Sequence, residues 1–389
     1  MAYSITFYCP DSHLEYDLNS IEKIGAGGGL TARIRMAHAL SSLGQAVTIY
    51  NHCPQEQNIN GVQYVPADLA RKIDTEVYIA GTSGDGLDLS SMNGIDLRAD
   101  LKILMVHGVD PPNGIDLDKF DYVYALSNFV RDRIVTGWGI DANKVFTSYR
   151  GITDDYFSLM NSEVQTRDPY SIAYTSHPTK GLTAAIKIFT ILRKREPRFS
   201  LHLYGGYRLW GGAEKEIEHI PNLIDHWLIG QRELASELQR ISYVLHIQDR
   251  EEPFGISLIE AMRAGCIVLA SSVGAFPEII QTGQNGFLID GKSSDESTHT
   301  AVSRILLDLS KNEDRKNLIR KNAVHSPLSW RTIAAAWIEH WNWALKKTSG
   351  VEQPIQKTIC PACGAEMLLL PDGSHCIACG RYQKKSVNL

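Results

Sequence analysis

Long hydrophobic runs are absent from the 389-residue sequence, and no apolar stretch approaches the ~20 residues that a membrane-spanning helix needs. The segment Met1–Pro10 also lacks the basic start and long apolar core of a secretory signal peptide. Strong charge of either sign is absent as well. The net charge is only -5, which argues against bulk attraction to nucleic acid or to anionic lipid. We therefore expect a cytoplasmic protein without a transmembrane segment, and nucleic acid is not an expected partner.

Cysteine is sparse outside the C-terminal segment. Cys9, Cys53 and Cys266 stand singly in or beside apolar segments, which is typical of buried thiols. The other four cysteines form two C-x2-C pairs separated by twelve residues, a spacing typical of a tetrahedral structural zinc site. These four predicted ligands are Cys360, Cys363, Cys376 and Cys379.

The segment that carries these pairs, 358–385, follows a polar linker at 347–357 and resembles a zinc ribbon. A segment this short cannot bury a large core, so zinc would supply its stability. Its basic end consists of Arg381, Lys384 and Lys385, which is too small for a strong phosphate footprint. We expect the ribbon to be structural or to contact another protein.

Length and pattern predict an α/β protein of two domains, since 389 residues are long for one hydrophobic core. Short apolar segments such as Ser4–Tyr8 and Leu101–Val106 alternate with segments of helical period, which predicts parallel sheets. A polar stretch without apolar periodicity, Asn161–Pro169, is the predicted linker. We place the first domain at 1–165 and the second at 166–346.

Three consecutive glycines, Gly27, Gly28 and Gly29, precede a predicted helix that begins at Leu30. Glycines let the backbone approach a ligand closely, and the N-terminus of a helix favours a phosphate. The spacing is not G-x-G-x-x-G, because Leu30 occupies the position of the third glycine, so it does not indicate NAD. A flexible surface loop is the alternative interpretation.

In the second half, Lys180 lies between the predicted strand Ser171–Tyr174 and a predicted helix. A cation at this end of a strand can neutralise a diphosphate, and such a charge-assisted hydrogen bond contributes ~1.5 to 3 kcal/mol. A solvated surface lysine is the alternative. Farther along, we expect a polar helix to begin near Ala213.

The segment Glu251–Gly265, EEPFGISLIEAMRAG, carries two carboxylates, Glu252 and Glu260, that are eight positions apart. Between them Gly255 indicates a turn that leads into a helix. The first N–H groups of a helix lack partners and carry partial positive charge, so an anion can bind there. We expect both carboxylates to face one ligand that carries hydroxyls beside a phosphate.

This segment resembles the E-x7-E motif of the retaining glycosyltransferases of family GT4, which have a GT-B fold of two Rossmann-like domains facing a cleft. The glycines and the helix after them resemble the start of a GT4 N-terminal domain, and the resemblance covers roughly residues 1–346. It implies an α/β, GT-B architecture with the small zinc ribbon appended. It also implies that the segment Trp330–Leu345 crosses back to the first domain, although a core helix of the second domain fits the pattern equally well.

The resemblance implies a role for each matching residue. Glu252 would hold sugar hydroxyls, Glu260 would hold the ribose hydroxyls, and Lys180 would face the leaving diphosphate together with the glycine loop. His107 would lie near the donor sugar, although a histidine after a strand is as often structural. The remaining implied donor-binding residues are Phe254, Gly255, Ile256 and Ile229, the last of which lies where the backbone reads the base.

Two positions depart from the family pattern. Thr175 stands where the family usually has an arginine, and Arg150 stands where asparagine is common. His177 or Arg208 would then supply the second cation, or the donor would be held less tightly.

The implied function is transfer of a hexosyl-type unit from a nucleotide diphosphate sugar to a hydroxyl of an acceptor, which is a glycan, a lipid-linked molecule or a small molecule. The resemblance also implies that no catalytic metal is needed. A GT-A enzyme would need an Asp-x-Asp after a buried strand to hold a metal, and the triplet Asp116-Leu117-Asp118 lies in a polar loop instead. Two alternatives remain: a GT-B nucleotide-sugar epimerase, and a non-catalytic sugar-nucleotide-binding or scaffold protein recruited through the ribbon. The substitution at Thr175 favours the second.

Overall fold

A computed structural model describes residues 2–81, 84, 88–157, 167–324 and 329–347, and the backbone of four short strands beyond them. None of the helices in these ranges is long and apolar enough to cross a membrane. The three cysteines expected to be buried thiols, Cys9, Cys53 and Cys266, are buried and free, so that prediction is confirmed.

The first half of the chain forms an eight-stranded sheet. Its strands are β1 (Ser4–Tyr8), β2 (Ala46–Asn51), β3 (Gln57–Ile59), β4 (Val62–Pro66), β5 (Lys72–Ala80), β6 (Asp96–Met105), β7 (Tyr122–Ala125) and β8 (Val145–Thr147). They lie in the order β3-β4-β2-β1-β5-β6-β7-β8. All neighbours are parallel except β3 and β4. The order reverses between β1 and β5, and ligands of such sheets bind beyond the carboxyl ends of the strands at that point.

The second half forms a six-stranded sheet that is parallel throughout. Its strands are β9 (Asp168–Tyr174), β10 (Ser200–Leu203), β11 (Leu223–Asp225), β12 (Ile241–His246), β13 (Ile267–Ser271) and β14 (Phe287–Ile289). They lie in the order β11-β10-β9-β12-β13-β14, so this sheet reverses between β9 and β12. Both sheets therefore offer a crevice, one after β1 and β5 and the other after β9 and β12.

Eleven helices in the described ranges connect and cover these strands. In the first half they are α1 (Leu18–Lys23), α2 (Gly28–Ser42), α3 (Asn128–Gly137) and α4 (Asp154–Phe157). In the second half they are α5 (Leu182–Arg195), α6 (Gln231–Leu238), α7 (Ile256–Arg263), α8 (Phe276–Ile279), α9 (Glu296–Ser310), α10 (Glu313–Val324) and α11 (Trp330–Lys347). Apolar residues at helical spacing give α5 one buried face, whose members are Ala184, Ala185, Ile188, Phe189 and Leu192.

Two details of the second half differ from the sequence-based expectations. Asp168 and Pro169, which we expected in the linker, are the first residues of β9. The polar helix expected near Ala213 is absent from the described structure, in which residues 212–220 are irregular. The carboxylate of Glu214 instead accepts hydrogen bonds from the backbone N–H groups of Tyr207 and Arg208, and this bonding holds the segment against a preceding 3-10 turn.

The last long helix, α11, packs on the first half of the chain. Trp337 and Trp341 are fully buried on it. The indole N–H of Trp337 donates to Ser148 Oγ at 2.5 Å, and that of Trp341 donates to Tyr124 Oη at 3.0 Å. Buried indoles usually find a hydrogen-bond partner. Here both partners lie on or just after strands of the first sheet, so the end of the chain completes the first core.

A carboxylate from the second half also caps a helix of the first. Glu278, in α8, accepts hydrogen bonds from the N–H of Phe129 at 2.7 Å and from the N–H of Asn128 at 3.0 Å. These groups begin α3, where unpaired donors and the helix dipole favour an anion. The two halves are thus joined on one side of the cleft between them.

Four short strands follow α11: β15 (Thr358–Ile359), β16 (Glu366–Leu370), β17 (Gly373–His375) and β18 (Tyr382–Lys384). They form an antiparallel sheet in chain order. The four predicted zinc ligands, Cys360, Cys363, Cys376 and Cys379, lie outside the described residues. So do the predicted linker after Lys347 and the boundary proposed between 165 and 166.

Candidate active site

A cavity of about 610 Å³ separates the two halves of the chain. Its walls come from the carboxyl ends of strands in both sheets, as the reversal of each strand order requires. The residues predicted from the sequence that line it are Gly27, Gly28, Gly29, His107, Lys180, Glu252, Phe254, Gly255 and Ile256.

A smaller cavity, of about 140 Å³, adjoins the first and shares several of its residues. Two further predicted residues, Ile229 and Glu260, line it, and so do Thr175 and His177. The structure therefore brings together every residue that the sequence pointed to as donor-binding or catalytic, although these residues are spread over more than 230 positions of the chain.

The three glycines face the second half at close range. Gly28 and Gly29, which we expected to precede the helix, are the first residues of α2. Gly27 precedes the first residue of α2, and a Cβ at this position would lie 3.1 Å from the carbonyl oxygen of Leu209. A Cβ on Gly28 would lie 3.6 Å from Cδ1 of Ile256. The glycines thus bring the start of α2 against the start of α7, two positions at which backbone N–H groups favour an anion.

Gly255 forms the turn that leads into α7. Its φ of 96° is in the left-handed region, and a Cβ there would lie 2.7 Å from Cε1 of Phe276, so the turn requires glycine. No side-chain hydrogen bond caps α7 within the described residues. The helix therefore begins at the cavity wall with its first N–H groups available to an oxyanion.

Lys180 and Glu252 form an ion pair across the cavity floor, with Nζ of Lys180 2.8 Å from Oε2 of Glu252. Burial alone raises the pKa of Glu252. The charge of Lys180 and hydrogen bonds from Lys180 and Gln248 outweigh burial, so the pKa lies below its ordinary value. Glu252 is therefore a carboxylate at neutral pH.

The turn before α5 places Lys180 at the cavity. Gly181 follows it with a φ of 101°, and a Cβ on Gly181 would lie only 1.9 Å from the carbonyl oxygen of Ile247. Glycine at this position allows the loop after β9 to lie directly on the loop after β12, which carries Glu252.

Glu260, on α7, belongs to a chain of hydrogen bonds that crosses between the halves. It accepts from Nε2 of Gln231 at 2.5 Å, and Oε1 of Gln231 accepts from Nε of Arg35 at 2.8 Å. Glu260 is buried, and burial raises its pKa from 4.5 to about 7 despite the hydrogen bond from Gln231 and the charge of Arg35. The carboxyl group is thus poised to change its protonation near neutral pH.

His107 follows β6 and lines the larger cavity from the first half. It is buried, and its pKa lies well below the ordinary value because of burial and the positive charges of Arg150 and Arg33. The ring is therefore neutral and can serve as a hydrogen-bonding group on the cavity wall.

The two residues proposed from the sequence as a second cation lie in different surroundings. His177 reaches the smaller cavity but stacks on Trp210 at 3.7 Å between ring centroids. Burial, together with the charges of Lys180 and Arg250, lowers the pKa of His177 to about 4, so it is neutral. Arg208 is exposed and lines neither cavity in the described part of the chain.

Two arginines that sequence reasoning did not assign to the site line the larger cavity instead. Arg250 lies in the loop after β12, with its guanidinium 5.2 Å from the centroid of the Trp210 ring. Arg150 lies three residues after β8 and is 1% exposed. Both residues follow the carboxyl end of a parallel strand, where ligands of such sheets bind. This position was the signal that could have identified them from the sequence.

Comparison with known proteins relates this chain to glycosyltransferases. Residues 170–324 match the family described as Glycosyl transferases group 1. A D-inositol 3-phosphate glycosyltransferase from Paenarthrobacter aurescens is 26% identical over 247 residues, which make up 60% of this chain and 53% of that protein. The chain thus spans about half the length of this curated relative.

Solved structures of similar fold include a glycosyltransferase from Rickettsia africae, with a TM-score of 0.63 and 15% identity over 89% of this chain and 99% of the other. HepE from Anabaena in complex with UDP gives a TM-score of 0.60 at 15% identity over 87% of this chain and all of the other. At these identities the comparison establishes only the fold. It is the GT-B arrangement, in which each half of the chain is an α/β unit built on a mainly parallel sheet.

Proposed function

We propose that this chain, whose second half is a group 1 glycosyltransferase domain, transfers a sugar from a nucleotide diphosphate sugar to an acceptor hydroxyl with retention at the anomeric carbon. The observation that carries the proposal is the convergence of Lys180, Glu252 and the start of α7 with the glycine loop of the first half on one cavity. A cation, a carboxylate and two helix N-termini are the groups that a sugar diphosphate requires.

Charge stabilisation of the leaving diphosphate is the main task of such a site. Lys180 and the first N–H groups of α7 supply it from one wall, and the loop Gly27–Gly29 supplies it from the other. Glu252 accepts hydrogen bonds from hydroxyls of the donor sugar. When the donor binds, the diphosphate replaces Glu252 as the main anionic partner of Lys180, and Glu252 turns to the sugar.

The nucleoside part of the donor occupies the smaller cavity. Glu260 accepts hydrogen bonds from the ribose hydroxyls, and the backbone near Ile229 reads the base. The similarity to HepE, whose structure contains UDP, supports a nucleoside diphosphate as the leaving group.

The transfer needs no separate protein base. The bond between the anomeric carbon and the leaving oxygen breaks, the acceptor oxygen attacks from the same face, and an oxygen of the leaving phosphate takes the acceptor proton. Neutral His107 hydrogen-bonds to the sugar beside this centre. No metal takes part in this scheme.

The zinc ribbon is a separate part of the proposal. We assign one structural Zn²⁺ to Cys360, Cys363, Cys376 and Cys379. The described strands support this, because one cysteine pair belongs to the connection between β15 and β16 and the other to that between β17 and β18. In an antiparallel sheet in chain order, β15 and β17 run in the same direction, so the strand ends that precede the two cysteine pairs lie at the same edge of the sheet. The zinc ion stabilises the ribbon, the ribbon contacts another protein, and the whole chain acts in the cytoplasm.

Calorimetric titration of the full chain with UDP, GDP and ADP, followed by turnover of the matching nucleotide sugars, tests the proposal. One nucleotide should bind, and its sugar should be transferred or hydrolysed. Lys180→Ala should abolish that turnover, while Lys187→Ala, which removes an exposed charge on α5, should preserve it. Failure of every nucleotide to bind would contradict the proposal.

The same assay separates the two alternatives. Binding without turnover would identify a sugar-nucleotide-binding module. Conversion of the nucleotide sugar to its epimer without an acceptor would identify an epimerase.

A further inference from the structure

Two buried arginines lie near each other in the first half, and one of them, Arg150, lines the larger cavity. Arg33, on α2, is 0% exposed and Arg150 is 1% exposed. Arg33 has an ion pair with Asp11 at 2.7 Å and a hydrogen bond to Tyr16 Oη at 2.5 Å. Arg150 has no ion pair among the described residues, and its Nε and Nη2 atoms have no hydrogen-bond partner there. Asp11 thus pairs with Arg33, whereas Arg150 has no such carboxylate partner among the described residues.

An unpaired buried cation is unfavourable for the fold, because its hydration is lost without compensation. Burial, followed by the nearby charge of Arg33, lowers the pKa of Arg150 to about 9. Buried polar groups in native proteins nearly always have partners, so an orphaned guanidinium on a cavity wall indicates a missing one. The missing partner must accept hydrogen bonds, because a guanidinium has donors only, and an anion would also compensate its charge.

Arg150 lies on the first-half wall, opposite Lys180 and the start of α7 and on the same side as the three glycines. The first half contributes Arg150, Asp11 and His107 to the larger cavity, whereas Lys180 and the start of α7 come from the second half. Another hollow, of about 970 Å³, opens from the first half and shares Pro10, Asp11 and Ser12 with this cavity. The wall that carries Arg150 is therefore the one with room for an acceptor.

We propose that Arg150 binds an oxyanion group of the acceptor, either a phosphate ester or a carboxylate close to the hydroxyl that receives the sugar. This rests on the proposed function of the cleft. A guanidinium recognises both groups through paired N–H bonds, and it does so best away from water. Arg150 therefore selects acidic acceptors over neutral ones of the same shape.

Thermal-shift measurements on the full chain test for the anion subsite. Inorganic phosphate and acetate are added at constant ionic strength, with chloride as the reference, both without nucleotide and with the tightest-binding nucleoside diphosphate at saturation. We expect phosphate or acetate to raise the Tm in both conditions, and the stronger of the two identifies the class of acceptor. No rise above chloride in the wild-type chain would overturn the proposal.

Variants locate the effect. Arg150→Met should abolish the response to the anion and should not lower the Tm in chloride, because it removes a buried unpaired charge. Arg150→Lys should keep part of the response. Arg304→Gln, which removes an exposed charge on α9, should keep all of it. A response that persists in Arg150→Met places the anion elsewhere, and a large fall in Tm in chloride would show that Arg150 is structural.

The measurements with nucleotide distinguish this subsite from the donor site. Arg150→Met should leave the nucleotide Kd within about twofold of wild type. A tenfold loss of nucleotide affinity, or displacement of phosphate by the nucleotide, would assign Arg150 to the donor diphosphate and overturn the acceptor role. If no nucleotide binds while phosphate still acts through Arg150, the transferase proposal fails and the anion subsite stands.

An acceptor assay completes the test once a donor is known. Glucose is compared with glucose 6-phosphate, and glycerol with glycerate, as matched neutral and acidic acceptors. The wild-type chain should prefer the acidic member at least tenfold in kcat/KM, and Arg150→Met should lose that preference. Equal use of both members by the wild-type chain would contradict the proposal.

Discussion

The Nζ atom of Lys180 lies 2.8 Å from Oε2 of Glu252, so the cation assigned to the diphosphate and the carboxylate assigned to the sugar neutralise each other in the unliganded cleft. Both side chains are largely buried, at 17% and 14% exposed. The pair keeps Glu252 ionised in a place where burial alone favours its neutral form.

Lys180→Met should therefore destabilise the protein in a pH-dependent way. In the wild type the lowered pKa of Glu252 gives stability that is present above the ordinary carboxyl pKa and is lost as the pH falls. Without Lys180, burial raises that pKa, and stability is lost as the pH rises. The fall in Tm should thus be larger at pH 7 than at pH 5, whereas Lys187→Met should show no such trend. An equal fall at both pH values would mean that Lys180 does not set the ionisation of Glu252.

The carboxyl group of Glu260 should contribute to stability with the opposite pH dependence. Its pKa is raised from 4.5 to about 7, so its contribution to stability is complete below pH 4.5 and is lost as the pH rises through about 7. A shift of this size corresponds to roughly 3 kcal/mol at ~1.4 kcal/mol per unit. Glu260→Gln should therefore gain Tm relative to the wild type between pH 5 and pH 8. A constant difference in Tm over this range would show that the carboxyl group titrates normally.

Nucleotide affinity should follow the same titration. An ionised carboxylate accepts two ribose hydroxyls better than a protonated one does. The nucleotide affinity of the wild type should rise with pH up to about 7 and then level off. Glu260→Gln should lack the part of this rise that comes from ionisation of Glu260. Because the phosphate of the nucleotide also titrates, the variant is the reference at each pH. If the affinities of the two proteins changed with pH in the same way, Glu260 would not bind the nucleotide.

Gly28→Ala should weaken donor binding without harming the fold. A methyl group there meets Cδ1 of Ile256 at 3.6 Å, which is ordinary van der Waals contact. Alanine also favours the first turn of α2, so the Tm should be equal or higher. In the liganded cleft the methyl group occupies space that the diphosphate needs, and we expect at least tenfold weaker binding by calorimetry. Gly137→Ala, at a glycine with open space around it, is the matched control. Unchanged affinity in Gly28→Ala would show that the three glycines do not contact the donor.

The features predicted from the sequence are those that local spacing encodes. A strand followed by Lys180 can be recognised within about fifteen residues. So can the turn into α7, with Glu252 before the helix and Glu260 on it. Parallel sheets then bring such strand ends to one edge, which is why the separate segments meet at the cavity. The same reasoning located the three glycines, although it placed the start of the helix at Leu30 and α2 begins at Gly28.

Contacts between side chains on the two sides of the cleft could not be predicted from local spacing. Arg35 and Gln231 are 196 positions apart, and their hydrogen bond depends on how α2 packs beside α6. Arg150 was noted only as a departure from a family pattern, because its lack of a partner depends on burial beside Arg33. The neutral state of His177 likewise follows from its stacking on Trp210 and from two nearby cations.

The C-terminal ribbon should hold about one zinc ion per chain. Within the described residues no group of three or more His, Cys, Asp or Glu side chains could hold a metal ion, so bound zinc should depend on the tail. Removal of the residues after Lys347, where α11 ends, should reduce the zinc measured by mass spectrometry to near zero. The double variant Cys360→Ser, Cys376→Ser should do the same, whereas Cys53→Ser should retain the metal.

The truncation also shows whether the ribbon belongs to the active site. The residues that line both cavities all precede Lys347, so the truncated chain should keep the nucleotide Kd within about twofold. Its first core also keeps α11, whose indoles bond to Ser148 and Tyr124, so it should unfold with a Tm close to that of the full chain. Zinc retained at one equivalent would place the metal outside the tail. Lost nucleotide binding with an unchanged Tm would show that the ribbon reaches the donor.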